Sequence, residues 1–204
     1  SPTAITYGAS TPSNSISTSG LLGSDSVSSV TYTYAGTGST SYGPLTAAPT
    51  AAGTYSITPS AAVFSPSAAA SNYTTISYVA GTLTINAKAI TITPTITATS
   101  MTYGASSPYA TTGYSTSPTL SSFSGGTAPT CALYLSTDSS YATAKAIDGS
   151  LAAGSYVVHC SGASLTNYTF SYATDASFTV NKAVLATPAI SGVTTPVTGA
   201  TPVT

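Results

Sequence analysis

The 204-residue sequence predicts an all-β protein: two tandem immunoglobulin-like β-sandwich domains followed by a C-terminal extra β-strand segment. Ordered motifs recur about 95 residues apart, and short apolar/polar alternations fill each repeat. No stretch has the 3.6-residue apolar period of an amphipathic helix. Clusters of Gly, Pro, Asn and Ser separate the alternating stretches as loops. About seven short strands in each repeat suit an immunoglobulin-like sandwich.

Four motifs occur twice in the same order. They are residues 5–12 (ITYGASTP) with 101–108 (MTYGASSP), 52–55 (AGTY) with 153–156 (AGSY), 71–78 (SNYTTISY) with 166–172 (TNYTFSY), and 82–89 (TLTINAKA) with 177–183 (SFTVNKA). Self-similarity at a fixed period is the signature of a repeat architecture. We therefore divide the chain into repeat 1 (residues 1–87), repeat 2 (residues 88–182) and a tail (residues 183–204).

The apolar pattern changes parity where the repeats meet. Leu83 and Ile85 lie at odd positions, whereas Ile90 and Ile92 lie at even ones. A one-residue shift turns the buried side of a strand to its other face, so the chain can leave one core and enter the next without a flexible linker. We expect a stiff rod of repeats joined end to end.

The tail begins like a further repeat. Residues 182–190 (KAVLATPAI) align with residues 88–96 (KAITITPTI), a segment that repeat 1 does not have before its first motif. We expect the tail to be a third repeat's start, a linker or a donated strand, while the residues leave open which end donates. The candidate strand-donation residues are Val184, Leu185, Ile190, Val193 and Val197. The alternative is that residues 1–204 are a window of a longer array.

The ordered motifs resemble the bacterial immunoglobulin-like repeats of the MBG type. The residues that carry the resemblance are TYGAxxP, AGTY before a strand, NYTxSY and the closing GTLTINAKA, and they cover nearly the whole chain. The resemblance implies a β-sandwich stalk module, found in tandem in secreted or cell-surface proteins and adhesins, without catalytic residues. The scarcity of acidic residues argues against calcium-rigidified junctions here.

The composition excludes several classes of partner. Ser and Thr number 36 and 40, charged residues make up only 3%, and the net charge is -1. Such a chain has no basic face for nucleic acid and no polybasic patch for anionic lipid. No apolar run approaches the roughly 20 residues of a membrane span. The apolar fraction of 42% predicts a folded chain, and we expect an extracellular or cell-surface product.

Cys131 and Cys160 are the only cysteines. Each shares parity with apolar neighbours, Leu133 and Val158, and should therefore point into the core. In an extracellular protein this favours a buried disulfide, which would stabilise the fold by roughly 3 kcal/mol. Two buried free thiols and a reactive or metal-binding pair are the alternatives.

Four further residues have a recognisable local pattern. Asn72 and Asn167 each begin an Asn-Tyr-Thr sequence and are candidate glycosylation sites, although the same pattern fits a strand with a core Tyr. O-glycosylation of the Ser/Thr surface is a further candidate. Tyr55 and Tyr156, each two residues after a Gly, resemble a tyrosine corner, in which the hydroxyl ties down a loop.

Titratable residues are too few for catalysis or a metal site. His159 faces outward if Cys160 faces in, and the chain offers it only four scattered Asp as co-ligands, Asp25, Asp138, Asp148 and Asp175. General acid–base chemistry needs paired groups, and no Gly-x-Ser-x-Gly elbow surrounds a serine. We expect no enzyme, no metal and no cofactor.

Two functions fit these observations. The first is an extracellular structural subunit of a filament or stalk, whose partner is itself and whose copies join head to tail by β-strand donation. The alternative is an adhesin or glycan-binding module that holds a glycan or a host surface. Its candidate contact residues are the tyrosines Tyr109, Tyr114, Tyr134 and Tyr141.

Overall fold

The computed structural model describes residues 3–11, 13–186 and Gly192. This part of the chain is all-β, as predicted, with one short 3-10 helix, Ser67–Asn72. The strands are β1 Thr3–Thr6, β2 Ser26–Gly36, β3 Gly53–Ser65, β4 Gly81–Asn86, β5 Lys88–Ile96, β6 Ser100–Thr102, β7 Thr112–Ser117, β8 Thr130–Leu135, β9 Gly154–Ser161, β10 Tyr168–Tyr172 and β11 Ala176–Asn181. They form three sheets.

Repeat 1 forms one four-stranded sheet in the order β1-β4-β3-β2. β3 is antiparallel to both β2 and β4, and β1 adds to the outer edge of β4 in parallel. Because side chains alternate along a strand, Tyr55 of β3 and Leu83 and Ile85 of β4 reach the same face. All three are buried, and Ile57 packs against them. This face is the core of repeat 1.

Repeat 2 contains a sheet of the same order, β6-β11-β9-β8. Its buried residues are Leu133, Leu151, Tyr156, Val158, Phe178 and Val180. A second sheet, β10-β5-β7, packs over this core through contacts of β5 with β9 and β11. β5 is the central strand of that second sheet, parallel to β10 and antiparallel to β7, and its Ile90 and Ile92 are fully buried. Repeat 2 is thus a two-layered β-sandwich.

In the described part of the chain, repeat 1 has one sheet where repeat 2 has two packed layers. Residues 16–21 correspond to β7 by their distance from the shared TYGA motif, and residues 73–78 correspond to β10 by the shared NYT motif. Neither segment forms a strand in the described chain. In repeat 2, each of these strands pairs with β5 and with no other strand. Among the described residues, no strand pairs with these two segments as β5 pairs with β7 and β10, so they lack a partner that would hold them extended.

The chain passes from one repeat to the next without a loop. β4 ends at Asn86 and β5 begins at Lys88, so that only Ala87 lies between them. The buried residues of β4 face the core of repeat 1, and those of β5 face the core of repeat 2. The parity change in the sequence therefore corresponds to a direct transfer of the chain between two cores.

The same tyrosine contact stabilises a loop in both repeats. The hydroxyl of Tyr55 donates to the carbonyl oxygen of Ala51 at 2.7 Å, and that of Tyr156 donates to the carbonyl oxygen of Ala152 at 2.8 Å. Both tyrosines are buried. The predicted tyrosine-corner contacts are confirmed, and burial raises the pKa of the Tyr55 hydroxyl.

Candidate functional site

An open groove lies on the sheet of repeat 1, on the face that no second sheet of the described chain covers. Its volume is about 750 Å³. The floor consists of side chains from β2, β3 and β4, among them Tyr32, Ile57 and Leu83, and the walls are the segments around residues 13–21 and 75–82. The groove thus runs between the two segments that should flank a central strand.

The position of the groove matches that of β5 in repeat 2. Its walls include residues 16–21 and 73–78, the counterparts of β7 and β10. In repeat 2 these two strands lie on either side of β5 and bond to it along Lys88–Ile96. The groove therefore occupies the place where repeat 1 has room for one further strand.

The groove has exposed apolar side chains on its walls and a buried hydroxyl on its floor. Apolar side chains on its walls are exposed, Ile16 by 39%, Ile76 by 42%, Tyr78 by 40% and Val79 by 84%. On its floor, the hydroxyl of Tyr32 is buried without a hydrogen-bond partner in the described chain. Burying a polar group unpaired and exposing apolar area both cost free energy. An inserted strand would cover the apolar walls.

Tyrosine hydroxyls hold the irregular walls in place. The backbone N–H of Leu22 donates to the hydroxyl of Tyr73 at 2.9 Å, and this hydroxyl donates to Asp25 at 3.0 Å. The backbone N–H of Ala62 donates to the hydroxyl of Tyr78 at 2.8 Å. These contacts position the walls although neither wall is part of a sheet.

The first residues of the tail are available for contacts. Val184 is 96% exposed and Leu185 is 88% exposed, directly after β11 ends at Asn181. The other three candidate strand-donation residues, Ile190, Val193 and Val197, lie outside the described residues.

A family model matches residues 1–84, which include the groove of repeat 1 and all of its sheet except the last two residues of β4. This part of the chain matches the MBG domain, YGX type. The expected resemblance to MBG-type repeats is confirmed for repeat 1. Repeat 2 carries the same motifs in the same order, including Tyr103-Gly104 in the place of Tyr7-Gly8. No curated protein and no solved structure matches the chain.

The MBG match describes a repeat module and names no enzyme family. Among the described residues, no three His, Cys, Asp or Glu side chains lie close enough to hold a metal ion. The described part of the chain also contains no helix long and apolar enough to cross a membrane.

A disulfide joins Cys131 of β8 to Cys160 of β9. The two residues lie directly opposite each other in one sheet, so the bond links neighbouring strands rather than the two layers. In repeat 1, Tyr32 and Pro59 occupy the corresponding pair of positions. The stabilising bond is therefore specific to repeat 2, and the Tyr32 position faces the groove in repeat 1.

A polar and aromatic cluster lies on the outside of repeat 2. The rings of Tyr141 and His159 stack with centroids 3.6 Å apart, and Tyr134 contacts Tyr141 edge-on. His159 Nδ1 lies 2.9 Å from Asp175 Oδ1, and the Tyr141 hydroxyl donates to Asp175 Oδ2. This hydrogen bond raises the pKa of Tyr141. The sequence singled out Tyr134 and Tyr141 but did not reveal that His159 and Asp175 join them.

The remaining predicted residues lie apart from this cluster. Tyr109 precedes β7, and Tyr114 on β7 packs edge-on against Phe123. Asn72 is exposed at the end of the 3-10 helix. Asn167 is partly buried at the junction of the two repeats, where its Oδ1 accepts a hydrogen bond from a backbone N–H of repeat 1. The two glycosylation candidates thus have different surroundings.

Proposed function

We propose that the protein is an extracellular structural subunit that assembles head to tail into a filament, with the tail of one copy inserted into the groove of the next. The observation that carries this proposal is the groove in repeat 1, which lies where β5 lies in repeat 2. The MBG match to repeat 1 supports a repeat module of a surface protein, and the disulfide fits an oxidising, extracellular location.

The start of the tail is similar in sequence to β5. We call residues 182–190 the donor segment; it begins Lys-Ala-Val, where β5 begins Lys-Ala-Ile, and has a proline at the same place, Pro188 for Pro94. In β5, Ile90, Ile92 and Pro94 are buried. The matching positions of the donor segment are Val184, Ala186 and Pro188, so its apolar side would face the floor of the groove.

The direction in which the chain leaves β11 favours a second copy as the acceptor. After β4, the chain passes across a single residue into the next repeat as β5. β11 is the counterpart of β4, so the chain that leaves Asn181 is directed past the end of repeat 2 in the same way. In the proposed filament, the next repeat at that end is repeat 1 of a second copy, and each insertion leaves the tail of the accepting copy free. Contacts of this heterologous kind extend into filaments when they do not close into rings.

Insertion of the donor segment would provide hydrogen-bond partners for the groove walls and bury apolar side chains. A strand between residues 16–21 and 73–78 would hydrogen-bond on both edges, as β5 does with β7 and β10. Complete burial of a side chain such as Val184 stabilises by about 1.5–3 kcal/mol. With a net charge of -1, neighbouring copies would meet with little electrostatic repulsion.

The test compares the 204-residue chain with a chain truncated after Ala183, by electron microscopy and light scattering. We expect filaments from the full chain, only small species from the truncated one, and full occupation of the truncated chain's groove by a synthetic peptide of residues 182–204. Unchanged assembly after truncation would overturn strand donation. A full chain that stays monomeric at every concentration would overturn the filament and favour a covalent array, in which a preceding repeat fills the groove.

A second candidate function is glycan or host-surface binding by repeat 2, and the cluster around Tyr141 favours it. Aromatic rings beside a carboxylate are suited to sugars, since the rings offer apolar faces and Asp175 offers hydrogen-bond acceptors. A glycan array probed with the full chain and with Tyr134→Ala tests this. Binding that the substitution abolishes supports the adhesin function, and absence of binding leaves the structural one.

A further inference from the structure

The two repeats of one chain are joined by contacts that involve more than the continuous backbone. The carbonyl oxygen of Asn167 accepts from the N–H of Lys88, where β5 begins, at 2.9 Å. The side-chain Oδ1 of the same Asn167 accepts from the N–H of Ala52 in repeat 1 at 2.8 Å. Tyr7 of repeat 1 packs edge-on against Tyr168 of repeat 2, with ring centroids 5.4 Å apart. One asparagine thus fixes both the entering strand and the preceding repeat.

Each residue of this junction belongs to a motif that occurs in both repeats. The counterparts of Ala52 and Tyr7, which lie on the side of the preceding repeat, are Ala153 and Tyr103. The counterparts of Asn167 and Tyr168, on the side of the following repeat, are Asn72 and Tyr73, and Lys182 corresponds to Lys88. The chain therefore carries a second, complete set of junction residues, divided between its two ends.

Exposure distinguishes the used set from the unused one at four of the five positions; the fifth pair, Tyr168 and Tyr73, is partly buried in both repeats. Tyr7, Ala52, Lys88 and Asn167 are partly buried at the internal junction, whereas their counterparts Tyr103, Ala153, Lys182 and Asn72 are all exposed. Tyr103 is 49% exposed, although its backbone is held in the same way as that of Tyr7. Its N–H bonds to the carbonyl of Asn181 at 2.8 Å, as the N–H of Tyr7 bonds to that of Asn86 at the same distance.

We infer that in the filament proposed above, on which this inference rests, the junction between copies repeats the junction within a copy. Tyr103 of the donating copy packs against Tyr73 of the accepting copy, and the N–H of Ala153 donates to Asn72 Oδ1. The carbonyl of Asn72 receives the N–H of Lys182 as the donor segment enters the groove. All repeats along the filament are then joined in the same way, whether the backbone between them is continuous or not.

The accepting side has to rearrange locally. Tyr73 now stacks on Phe64, with centroids 5.6 Å apart, and both rings lie against the groove that the donor segment fills. Asn72 is the last residue of the 3-10 helix, whereas Asn167 has a φ of 70°. Insertion of the strand therefore moves the Tyr73 ring from Phe64 to Tyr103 of the donating copy. It also unwinds the end of the 3-10 helix.

The test measures the critical concentration for assembly of full-length Tyr103→Ala, Tyr103→Phe and Asn72→Ala chains, with thermal unfolding as a control for folding. Loss of a buried edge-to-face ring contact predicts a critical concentration about tenfold higher for Tyr103→Ala. Tyr103→Phe keeps the ring and should assemble normally. Asn72→Ala removes the side-chain acceptor for the N–H of Ala153 and should raise the critical concentration by a similar factor.

The result separates the two proposals. If truncation after Ala183 abolishes filaments but Tyr103→Ala and Asn72→Ala assemble at the original concentration, strand donation stands and this junction is overturned. If the original chain forms no filaments, both are overturned. If filaments form and both substitutions weaken them while Tyr103→Phe does not, the repeated junction is supported.

Discussion

Tyr55 and Tyr156 stabilise their loops in the same way, because each hydroxyl reaches the carbonyl oxygen four residues earlier. Tyr7 and Tyr103 also occupy matching positions, yet one ring is packed at the internal junction and the other is exposed. The sequence motif therefore decides the backbone position of a tyrosine, whereas the presence of a neighbouring repeat decides whether its ring is covered.

The hydrogen bond of Tyr156 should contribute measurably to stability. Tyr156→Phe removes the donor to Ala152 and leaves the buried ring in place, so the free energy of unfolding should fall by about 1 kcal/mol. Chemical denaturation of the two chains measures this. Tyr114→Phe is the matched control, since Tyr114 is 38% exposed, and it should unfold like the original chain. Equal effects of the two substitutions would contradict the assigned role.

The disulfide should make a larger contribution. Replacing both Cys131 and Cys160 by Ala removes a cross-link between residues 29 apart, and the free energy of unfolding should fall by about 3 kcal/mol. Reduction of the original chain serves as the control, because it opens the same loop without changing the side-chain volume. A melting temperature that neither treatment lowers would show that the link adds nothing to stability.

Residue parity was sufficient to find some sites and not others. Cys131 and Cys160 each follow the alternation of their own strand, so their inward direction could be read from the sequence. The contact of His159 with Asp175 and Tyr141 joins a strand to two loops, and no periodicity links their positions. Such a cluster depends on how loops fold back, which local sequence does not specify.

At the scale of elements, a segment with alternating apolar and polar residues forms a strand only where a partner strand is present. Residues 73–78 alternate as well as their counterpart β10, which does form a strand in repeat 2. The difference is β5, whose backbone groups pair with both of its neighbours. The sequence therefore predicted the all-β fold correctly, but it could not show that residues 73–78 form no strand in the described chain.

The alternation of the donor segment gives a matched pair of substitutions. Val184 aligns with Ile90, which is buried, and Leu185 aligns with Thr91, whose hydroxyl contacts Ser171 on the outer part of the sheet. Val184→Asp places a charge in the apolar groove and should abolish filaments, while Leu185→Asp should leave them intact. Electron microscopy and sedimentation measure both. The opposite pattern would mean that the segment binds with its other face inward.

At the scale of the whole molecule, few charged residues are available to influence folding. The chain has three Lys and four Asp, and in its described part the one contact at salt-bridge distance lies between His159 and Asp175. Stability therefore depends on apolar burial, on backbone pairing and on hydroxyl hydrogen bonds, which salt screens weakly. A surface of this kind also offers few sites to proteases that cut after Lys or Arg, which suits a durable extracellular structure.

This composition predicts resistance to acid with a defined limit. The Ser140 hydroxyl donates to Asp138 and the Ser150 hydroxyl donates to Asp148, and these hydrogen bonds hold both carboxyl pKa values below the ordinary value. A lowered pKa means that the stabilising contribution is complete above the unfolded value of about 3.9 and is lost as the pH falls through the folded value. The melting temperature should therefore change little between about pH 5 and about pH 4, and it should fall only below about pH 4. Scanning calorimetry of the full chain and of Asp138→Asn/Asp148→Asn measures this. The variant should show a smaller decrease in acid, and a steep loss for the original chain above pH 5 would contradict the assignment.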